Sequence, residues 1–315
     1  MYRIGIDLGG TNIAVGIVDE KGNILYKDSI KTLCDQRTSE ELVEEMAKFT
    51  VKVVSDAGFT MDDIISVGVG SPGTPDAKNG ILLYANNLKM FNVPMRAIMQ
   101  KYINKPIYLG NDANCAALGE VVAGGAKNTS SAIMITLGTG VGGGIVIDNK
   151  IYDGFNNAGG ELGHFVMVVD GEQCSCGRKG CFEAYSSATA LIKQTRKAAE
   201  ENPGSLINDI VDKDLNKISG RTAFEAMKAG DETGKAVVDN YVRYLGEGII
   251  SLINIFQPEV FLIGGGISKE KEDLYEPLKE MVKNFGYNKD EFKQTKVMPA
   301  VLRNDAGIIG AAFLA

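Results

Sequence analysis

One histidine and three cysteines lie within a short stretch of this 315-residue chain and together could bind a metal ion. His164 is the only histidine, and it is followed by Cys174, Cys176 and Cys181 in the segment CSCGRKGC (174–181). Three thiolates and one imidazole form the donor set of a closed, four-coordinate structural zinc site. We therefore predict structural Zn²⁺ here. A disulfide, or a buried histidine beside unrelated thiols, remains the alternative, because cysteine spacing alone does not identify a ligand set.

Three glycine-rich turns could each bring bare backbone to a phosphate group. They lie in the segments DLGGT (7–11), LGTGVGGG (137–144) and GGG (264–266). Unobstructed N–H groups bind anionic oxygens, and the Asp7 carboxylate at a strand end could hold Mg²⁺ or its water shell. A simple glycine hairpin is the alternative for any one turn. The P-loop and dinucleotide motifs are not intact, because no Gly-Lys-Ser/Thr follows and Gly9-Gly10 leads into a strand.

Asn111-Asp112 is placed where a predicted strand becomes a helix. Phosphoryl transfer to an alcohol needs a carboxylate that takes up the hydroxyl proton, and Asp112 is the candidate base. Helix capping is the alternative, since Asp and Asn are common N-caps. Asn304-Asp305 has nearly the same form, and we interpret it as the cap of the last helix.

The elements that would position these residues follow a repeated pattern. A strand–glycine turn–strand meander over 3–29 returns at 132–151, with Leu8 matching Leu137 at an offset of 129. The repeat and the mixture of strands with helices predict two related α/β halves. Further strands are predicted at 65–69, 107–109 and 260–263. Helices are predicted from a Thr38 capping box to Gly58, from Pro94, and at 113–123, 185–201, 221–229, 231–257 and 305–314.

The amino-acid composition limits the kinds of molecule that we expect this chain to bind. The formal net charge is −7, with 33 basic and 40 acidic residues, and the basic residues form no cluster, so we expect no nucleic-acid binding. The sequence has no apolar run of 18 residues, so we expect no membrane insertion. The start of the chain enters a strand pattern without a signal segment. We therefore expect a cytoplasmic protein, where thiols stay reduced.

Taken together, the DLGGT turn, Asn111-Asp112, residues 137–144, the Glu161-x-Gly-His164 segment and the cysteine cluster through Glu183 resemble the ROK family of bacterial sugar kinases and sugar-responsive repressors. The resemblance covers essentially the whole chain. It implies an α/β, two-domain actin/hexokinase-like ATPase (ribonuclease H-like) fold, with nucleotide and sugar in the cleft between domains. The implied smaller domain comprises 1–112 plus 303–315, with a returning C-terminal helix, and the larger domain is 113–302. Family analogy also implies a homodimer.

The resemblance implies roles for individual residues. Asp112 would be the catalytic base, and the loop ordered by zinc would present sugar ligands. Family sugar kinases usually have an Asn-Leu segment ahead of the base; Asn86-Asn87-Leu88 takes that place, and either asparagine could be the ligand. The implied sugar-binding residues are Asn86, Asn87, Asn111, Asp112, Glu161, His164 and Glu183.

Two departures refine the resemblance. Glucokinase-like members often have a tryptophan two residues after that leucine, whereas this chain has Met90 and no tryptophan. This weakens the choice of glucose but not the kinase assignment. Repressor members carry a helix-turn-helix domain ahead of the first glycine turn, and only six residues precede Asp7, so we do not expect DNA binding by that route.

The combined prediction is an ATP- and Mg²⁺-dependent hexose kinase, specifically a glucokinase that makes glucose 6-phosphate. A kinase for N-acetylmannosamine, N-acetylglucosamine or fructose remains possible, because selectivity depends on pocket shape. A non-catalytic sugar sensor and an actin-like assembly ATPase are alternatives of other classes. The predicted nucleotide-binding residues are Asp7, Gly9, Gly10, Thr11, Gly138, Thr139, Gly140, Gly264, Gly265 and Gly266.

Overall fold

The computed structural model describes residues 1–287 and 293–315. The strands in chain order are β1 (Tyr2–Leu8), β2 (Asn12–Val18), β3 (Ile24–Lys31), β4 (Ile64–Ser71), β5 (Thr74–Asp76), β6 (Ile81–Ala85), β7 (Met90–Val93), β8 (Ile107–Asn111), β9 (Ala132–Leu137), β10 (Val141–Ile147), β11 (Lys150–Ile151), β12 (Val260–Gly265) and β13 (Lys296–Pro299). The helices are α1 (Ser39–Asp56), α2 (Met95–Met99), α3 (Asp112–Ala123), α4 (Glu183–Ser186), α5 (Ala188–Glu201), α6 (Leu206–Ile210), α7 (Thr222–Lys228), α8 (Glu232–Phe256), α9 (Lys271–Phe285) and α10 (Asp305–Ala312).

The chain divides into two compact units. Unit 1 comprises 1–132, 144–160 and 301–315, and unit 2 comprises 133–143 and 161–300. These differ from the predicted domains, 1–112 plus 303–315 and 113–302, because 113–132 and 144–160 belong to unit 1. The first of these segments contains α3, which packs against α10, the helix that returns at the C-terminus.

Both five-stranded sheets have the same strand order, which confirms the predicted repeat. The first is ordered β3-β2-β1-β4-β8 and the second β11-β10-β9-β12-β13. In the first sheet the meander strands pair antiparallel, and β4 and β8 continue the sheet in parallel. In the second, β10 and β11 are antiparallel and β12 and β13 parallel. In the first sheet, therefore, β1, β4 and β8 all end at one edge, where side chains can be gathered.

Helix α10 is held in unit 1 by glycines that permit very close backbone contact. A β carbon at Gly310 would lie 1.6 Å from the carbonyl oxygen of Cys115 in α3, and one at Gly68 would lie 1.7 Å from the carbonyl oxygen of Ala311. Real β carbons do not approach heavy atoms so closely, so neither position accepts a side chain without movement of the helix. The returning C-terminal helix predicted from the sequence is thus packed directly on β4 and α3.

Local signals explain some element ends. The Thr38–Glu41 capping box is present at the start of α1, as predicted, and the helix ends just before Gly58, whose φ is +77°. The predicted helix over 185–201 is two helices instead. Ser187 separates them, and its hydroxyl caps α5 by accepting from the Ala190 N–H at 3.0 Å. A serine side chain that bonds to nearby backbone N–H groups offers the backbone an alternative to a continuous helix.

Several elements had no predicted counterpart. They are the three-stranded sheet β5-β6-β7, and the elements α6, α9 and β13. Within the described residues, no helix combines the length and the apolar composition needed to cross a bilayer.

Candidate active site and metal centre

The carboxyl edge of the first sheet brings the two candidate acids of unit 1 together. Asp7 lies at the end of β1, in register with Gly70 of β4, and Ser71 of β4 is in register with Asn111 at the end of β8. Asp112 is then the first residue of α3. Parallel strands thus deliver residues far apart in sequence to one edge, as the strand-end positions of both acids predict.

Asn111, not Asp112, caps α3. The Asn111 Oδ1 atom accepts hydrogen bonds from the N–H groups of Ala113, at 2.9 Å, and Asn114, at 3.2 Å, and its Nδ2 donates to the Gly73 carbonyl at 3.1 Å. Asp112 accepts the adjacent Ala113 N–H through Oδ1, at 2.8 Å. The alternative that Asp112 serves as the cap is therefore wrong, and its carboxylate is free for chemistry.

The two acids share an environment that resists negative charge. Burial raises the pKa of Asp7 to about 6, and the negative charge of Asp112 adds to that shift. Burial also raises the pKa of Asp112, against the lowering effect of the Ala113 N–H. A carboxyl pair that is costly to ionise favours a bound cation, which would offset both the desolvation and the repulsion.

The first glycine turn lies beside the asparagine pair. Thr32 Oγ1 donates to the Gly9 carbonyl at 2.7 Å, which fixes the turn. Gly10 and Thr11 are exposed, and a β carbon at Gly10 would be 3.7 Å from Cβ of Asn87. Asn86 is exposed as well, as is Asn87, so the geometry does not choose between the two.

In unit 2, the second and third glycine turns lie against each other. Gly138 donates to the Gly140 carbonyl at 3.0 Å across the tip between β9 and β10, where Thr139 is exposed. Gly266, which follows Gly264 and Gly265 at the end of β12, donates to the Leu137 carbonyl at 3.2 Å. Two of the three predicted phosphate-binding turns are therefore joined by a backbone hydrogen bond.

The predicted metal ligands converge. The donor atoms of His164, Cys174, Cys176 and Cys181 all lie within 4.8 Å of one another. Cys176 Sγ and Cys181 Sγ are 3.7 Å apart, and Cys174 Sγ is 3.6 Å from His164 Nδ1. Tetrahedral zinc, with bonds of about 2.3 Å to sulfur and about 2.0 Å to nitrogen, requires separations of about 3.8 Å and about 3.5 Å. A disulfide requires about 2.05 Å, so the residues fit zinc and not a disulfide.

The acids that flank the cluster differ in their contacts. Glu161 is exposed, and its carbonyl accepts from the His164 N–H at 3.0 Å. Glu183 is half-buried, and its carboxylate accepts from the Val141 N–H at 2.9 Å and from the Ser175 hydroxyl at 2.7 Å. Because His164 turns Nδ1 toward the cysteines, its Nε2 is the nitrogen available to a second partner.

Asn304 occupies the N-cap position of α10, as predicted, but without a side-chain cap. The Asn304 side chain makes no capping hydrogen bond to α10, and the Asp305 carboxylate pairs with Lys27 Nζ of β3. Asp305 is thus occupied by an ion pair, whereas Asp112 in the matching motif is not.

Three further residues support the site, and none of them was predicted from the sequence as a site residue. Gly73, with a φ of +85°, supplies the carbonyl that orients Asn111, and Ser175 and Val141 hold Glu183. The Ser-Pro-Gly segment after β4 was a turn signal for Gly73. Nothing local distinguishes Ser175 or Val141, because their partner lies elsewhere along the chain.

Comparison with known proteins adds to this geometry. The ROK family profile matches residues 3–315. A glucokinase of Thermotoga maritima is 37% identical over 313 residues, which cover 99% of this chain and 96% of that protein. A crystal structure of a ROK family glucokinase from Streptomyces griseus in complex with glucose and AMPPNP is 34% identical, with a TM-score of 0.77, and covers 100% of this chain and 99% of that chain.

A second solved structure is also similar to this chain. The ROK hexokinase from Thermus thermophilus is 30% identical, with a TM-score of 0.81, and covers 100% of this chain and 98% of that chain. Structures of this kind are two-domain actin/hexokinase-like ATPases. The predicted α/β fold class is confirmed.

Proposed function

Because this chain belongs to the ROK family, we propose that it is an ATP-dependent hexose kinase and, more specifically, a glucokinase that makes glucose 6-phosphate. Glucokinases at 33% to 37% identity over nearly the full length support hexose phosphorylation. The assignment of Asp112 as the base rests on the start of α3, where Asn111 caps the helix and Asp112 does not.

Asp112 acts as the general base. Its carboxylate takes the proton from the sugar hydroxyl that attacks the terminal phosphoryl group, and positioning by the first turn of α3 keeps it in one pose. Burial raises the pKa of Asp112, which supports this role because a more basic carboxylate accepts the proton more readily.

The glycine turns bind the nucleotide phosphates. The phosphates would lie against the turns that contain Gly9, Gly10, Thr11, Gly138, Thr139, Gly140, Gly264, Gly265 and Gly266. The N–H groups of Gly9, Gly138 and Gly266 already donate to backbone carbonyls, so other N–H groups of these turns would donate to the phosphate oxygens. Asp7 holds Mg²⁺ directly or through its water shell, and when bound Mg²⁺ supplies positive charge against the developing charge on the phosphoryl oxygens.

The sugar hydroxyls are bound by Asn86 or Asn87, Asn111, Glu161, His164 and Glu183. His164 would serve two roles at once, because its Nδ1 faces the Cys174 sulfur and would bind the metal while its Nε2 would bind a sugar hydroxyl. The zinc held by His164, Cys174, Cys176 and Cys181 is structural, since four protein donors close its coordination shell. When bound, it contributes loop ordering and no acid–base chemistry.

Three finer assignments accompany the function. Glucose is preferred to N-acetylmannosamine, N-acetylglucosamine and fructose because glucokinases are among the relatives with the highest identity. A homodimer follows from the family resemblance alone. A cytoplasmic location suits a cluster that needs three reduced thiols.

The test is an ADP-release assay with a panel of hexoses and acetamido sugars. We expect sugar-dependent ADP production that is fastest with glucose, and glucose 6-phosphate as the product. A preference for an acetamido sugar would replace glucose within the same chemistry. Sugar binding without ADP release would support the alternative of a non-catalytic sensor, and ATP turnover that is independent of sugar would support an assembly ATPase.

A further inference from the structure

One carboxylate connects the metal-binding loop to the glycine turn between β9 and β10. Glu183 Oε2 accepts a hydrogen bond from the Val141 N–H at 2.9 Å, and Glu183 Oε1 accepts one from the Ser175 hydroxyl at 2.7 Å. The Cys174 Sγ atom is 3.6 Å from the same Oε1. Ser175 is therefore the closer donor, and each oxygen of Glu183 serves a different loop.

The glycine turn is shaped around this carboxylate. A β carbon at Gly140 would lie 2.3 Å from Glu183 Oε2, whereas a β carbon at Gly138 would have nothing within 4 Å. A side chain at Gly140 would therefore displace the Glu183 carboxylate from its present position. Any shift of the carboxylate changes the space around the turn and the direction of the Val141 N–H.

Ser175 is placed to transmit order from the metal site. It lies between Cys174 and Cys176, so its backbone is held wherever those two sulfurs hold a metal. Its side chain is exposed, so truncation to alanine leaves no internal cavity. The structural cost of removing the hydroxyl is therefore small, and the hydrogen bond to Glu183 is the main interaction lost.

We propose that Ser175 is a positioning residue for nucleotide binding: its hydroxyl orients Glu183, and Glu183 in turn fixes the phosphate-binding turn at Gly138–Gly140. The metal loop thereby sets the affinity for the nucleotide phosphates as well as presenting sugar ligands. This inference rests on the nucleotide-binding role of that turn proposed above.

The test compares Ser175→Ala, Ser175→Thr and the exposed control Ser251→Ala in the full chain. Binding of AMPPNP with Mg²⁺ is measured by calorimetry without sugar, and zinc by elemental analysis. We expect Ser175→Ala to weaken AMPPNP binding by about 3- to 10-fold, the usual net effect of losing one hydrogen bond. Its zinc content should equal that of the wild type. Ser175→Thr should restore binding because it keeps the hydroxyl, and Ser251→Ala should match the wild type.

Chelation distinguishes a link to the metal from a local effect. Once zinc is removed, the wild type and Ser175→Ala should bind AMPPNP equally weakly, because the loop no longer holds the hydroxyl in place. An unchanged dissociation constant in Ser175→Ala, a loss of zinc from that variant, or an equal further weakening after chelation would each overturn the inference. A wild type that binds AMPPNP with this pattern but phosphorylates no hexose would instead refute the proposed function.

Discussion

Replacement of Asp112 by asparagine separates its chemical role from its structural one. The amide oxygen of asparagine can keep the hydrogen bond from the Ala113 N–H, which is 2.8 Å in the wild type. Asn111 continues to cap α3 through its own side chain. We therefore expect the thermal midpoint to change little, because neither the cap nor the packing of α3 depends on the charge that is removed.

The kinetic effect of Asp112→Asn should be large. Loss of a general base lowers kcat by about 10²- to 10⁴-fold, equivalent to about 3 to 5 kcal/mol of transition-state stabilisation. The KM for sugar should change much less, because asparagine still donates and accepts hydrogen bonds. Steady-state kinetics with glucose, together with sugar binding by calorimetry, measures both quantities.

Asp305→Asn is the matched control. Asp305 opens a helix after an asparagine, as Asp112 does, but it forms an exposed ion pair with Lys27. Exposed ion pairs contribute about 0 to 1 kcal/mol, so kcat should stay within about twofold of the wild type. If Asp305→Asn abolished turnover and Asp112→Asn retained it, the assignment of the base would be wrong.

The loss of activity at low pH provides a second measurement, on the pair formed by Asp7 and Asp112. Asp7 must be ionised to hold a cation, and its pKa of about 6 means that activity falls as the pH drops through about 6. In Asp112→Asn the neighbouring negative charge is gone, so the pKa of Asp7 should fall. The residual activity should then persist to lower pH than in the wild type. An acid limb that does not move would show that the two carboxylates are not coupled.

The other expected outcomes concern the nucleotide, the metal and the fold. Asp7→Ala should raise the KM for MgATP more than the KM for sugar, and a selective loss of sugar binding would contradict the proposed role. Cys176→Ser should release one zinc per chain and lower both thermal stability and sugar affinity; full activity in a zinc-free wild type would refute a structural metal. Gly310→Ala should destabilise unit 1 by about 2 kcal/mol or more, since its β carbon would lie 1.6 Å from the Cys115 carbonyl oxygen. Gly204→Ala, where nothing lies within 4 Å, should leave the melting temperature unchanged within about 2 °C.

The features that the sequence determined are those encoded locally. The Thr38 capping box, the strand pattern at the start of the chain and the glycine turn after Asp7 are visible over a few residues, because caps, strands and turns depend on near neighbours. The ligand set of the metal cluster was readable for the same reason, since all four donors lie within 164–181. The repeated meander revealed that the two sheets are related.

Hydrogen-bond partners that lie far apart in the chain could be identified only from the tertiary structure. Sequence alone left Asp112 as either cap or base, and excluding the cap required seeing that Asn111 binds the Ala113 and Asn114 N–H groups. It also could not show that Glu183 joins Ser175 to Val141, because that hydrogen bond spans 42 residues. Hydrogen bonds between distant segments arise from packing, and no pattern in the neighbouring residues encodes their partners.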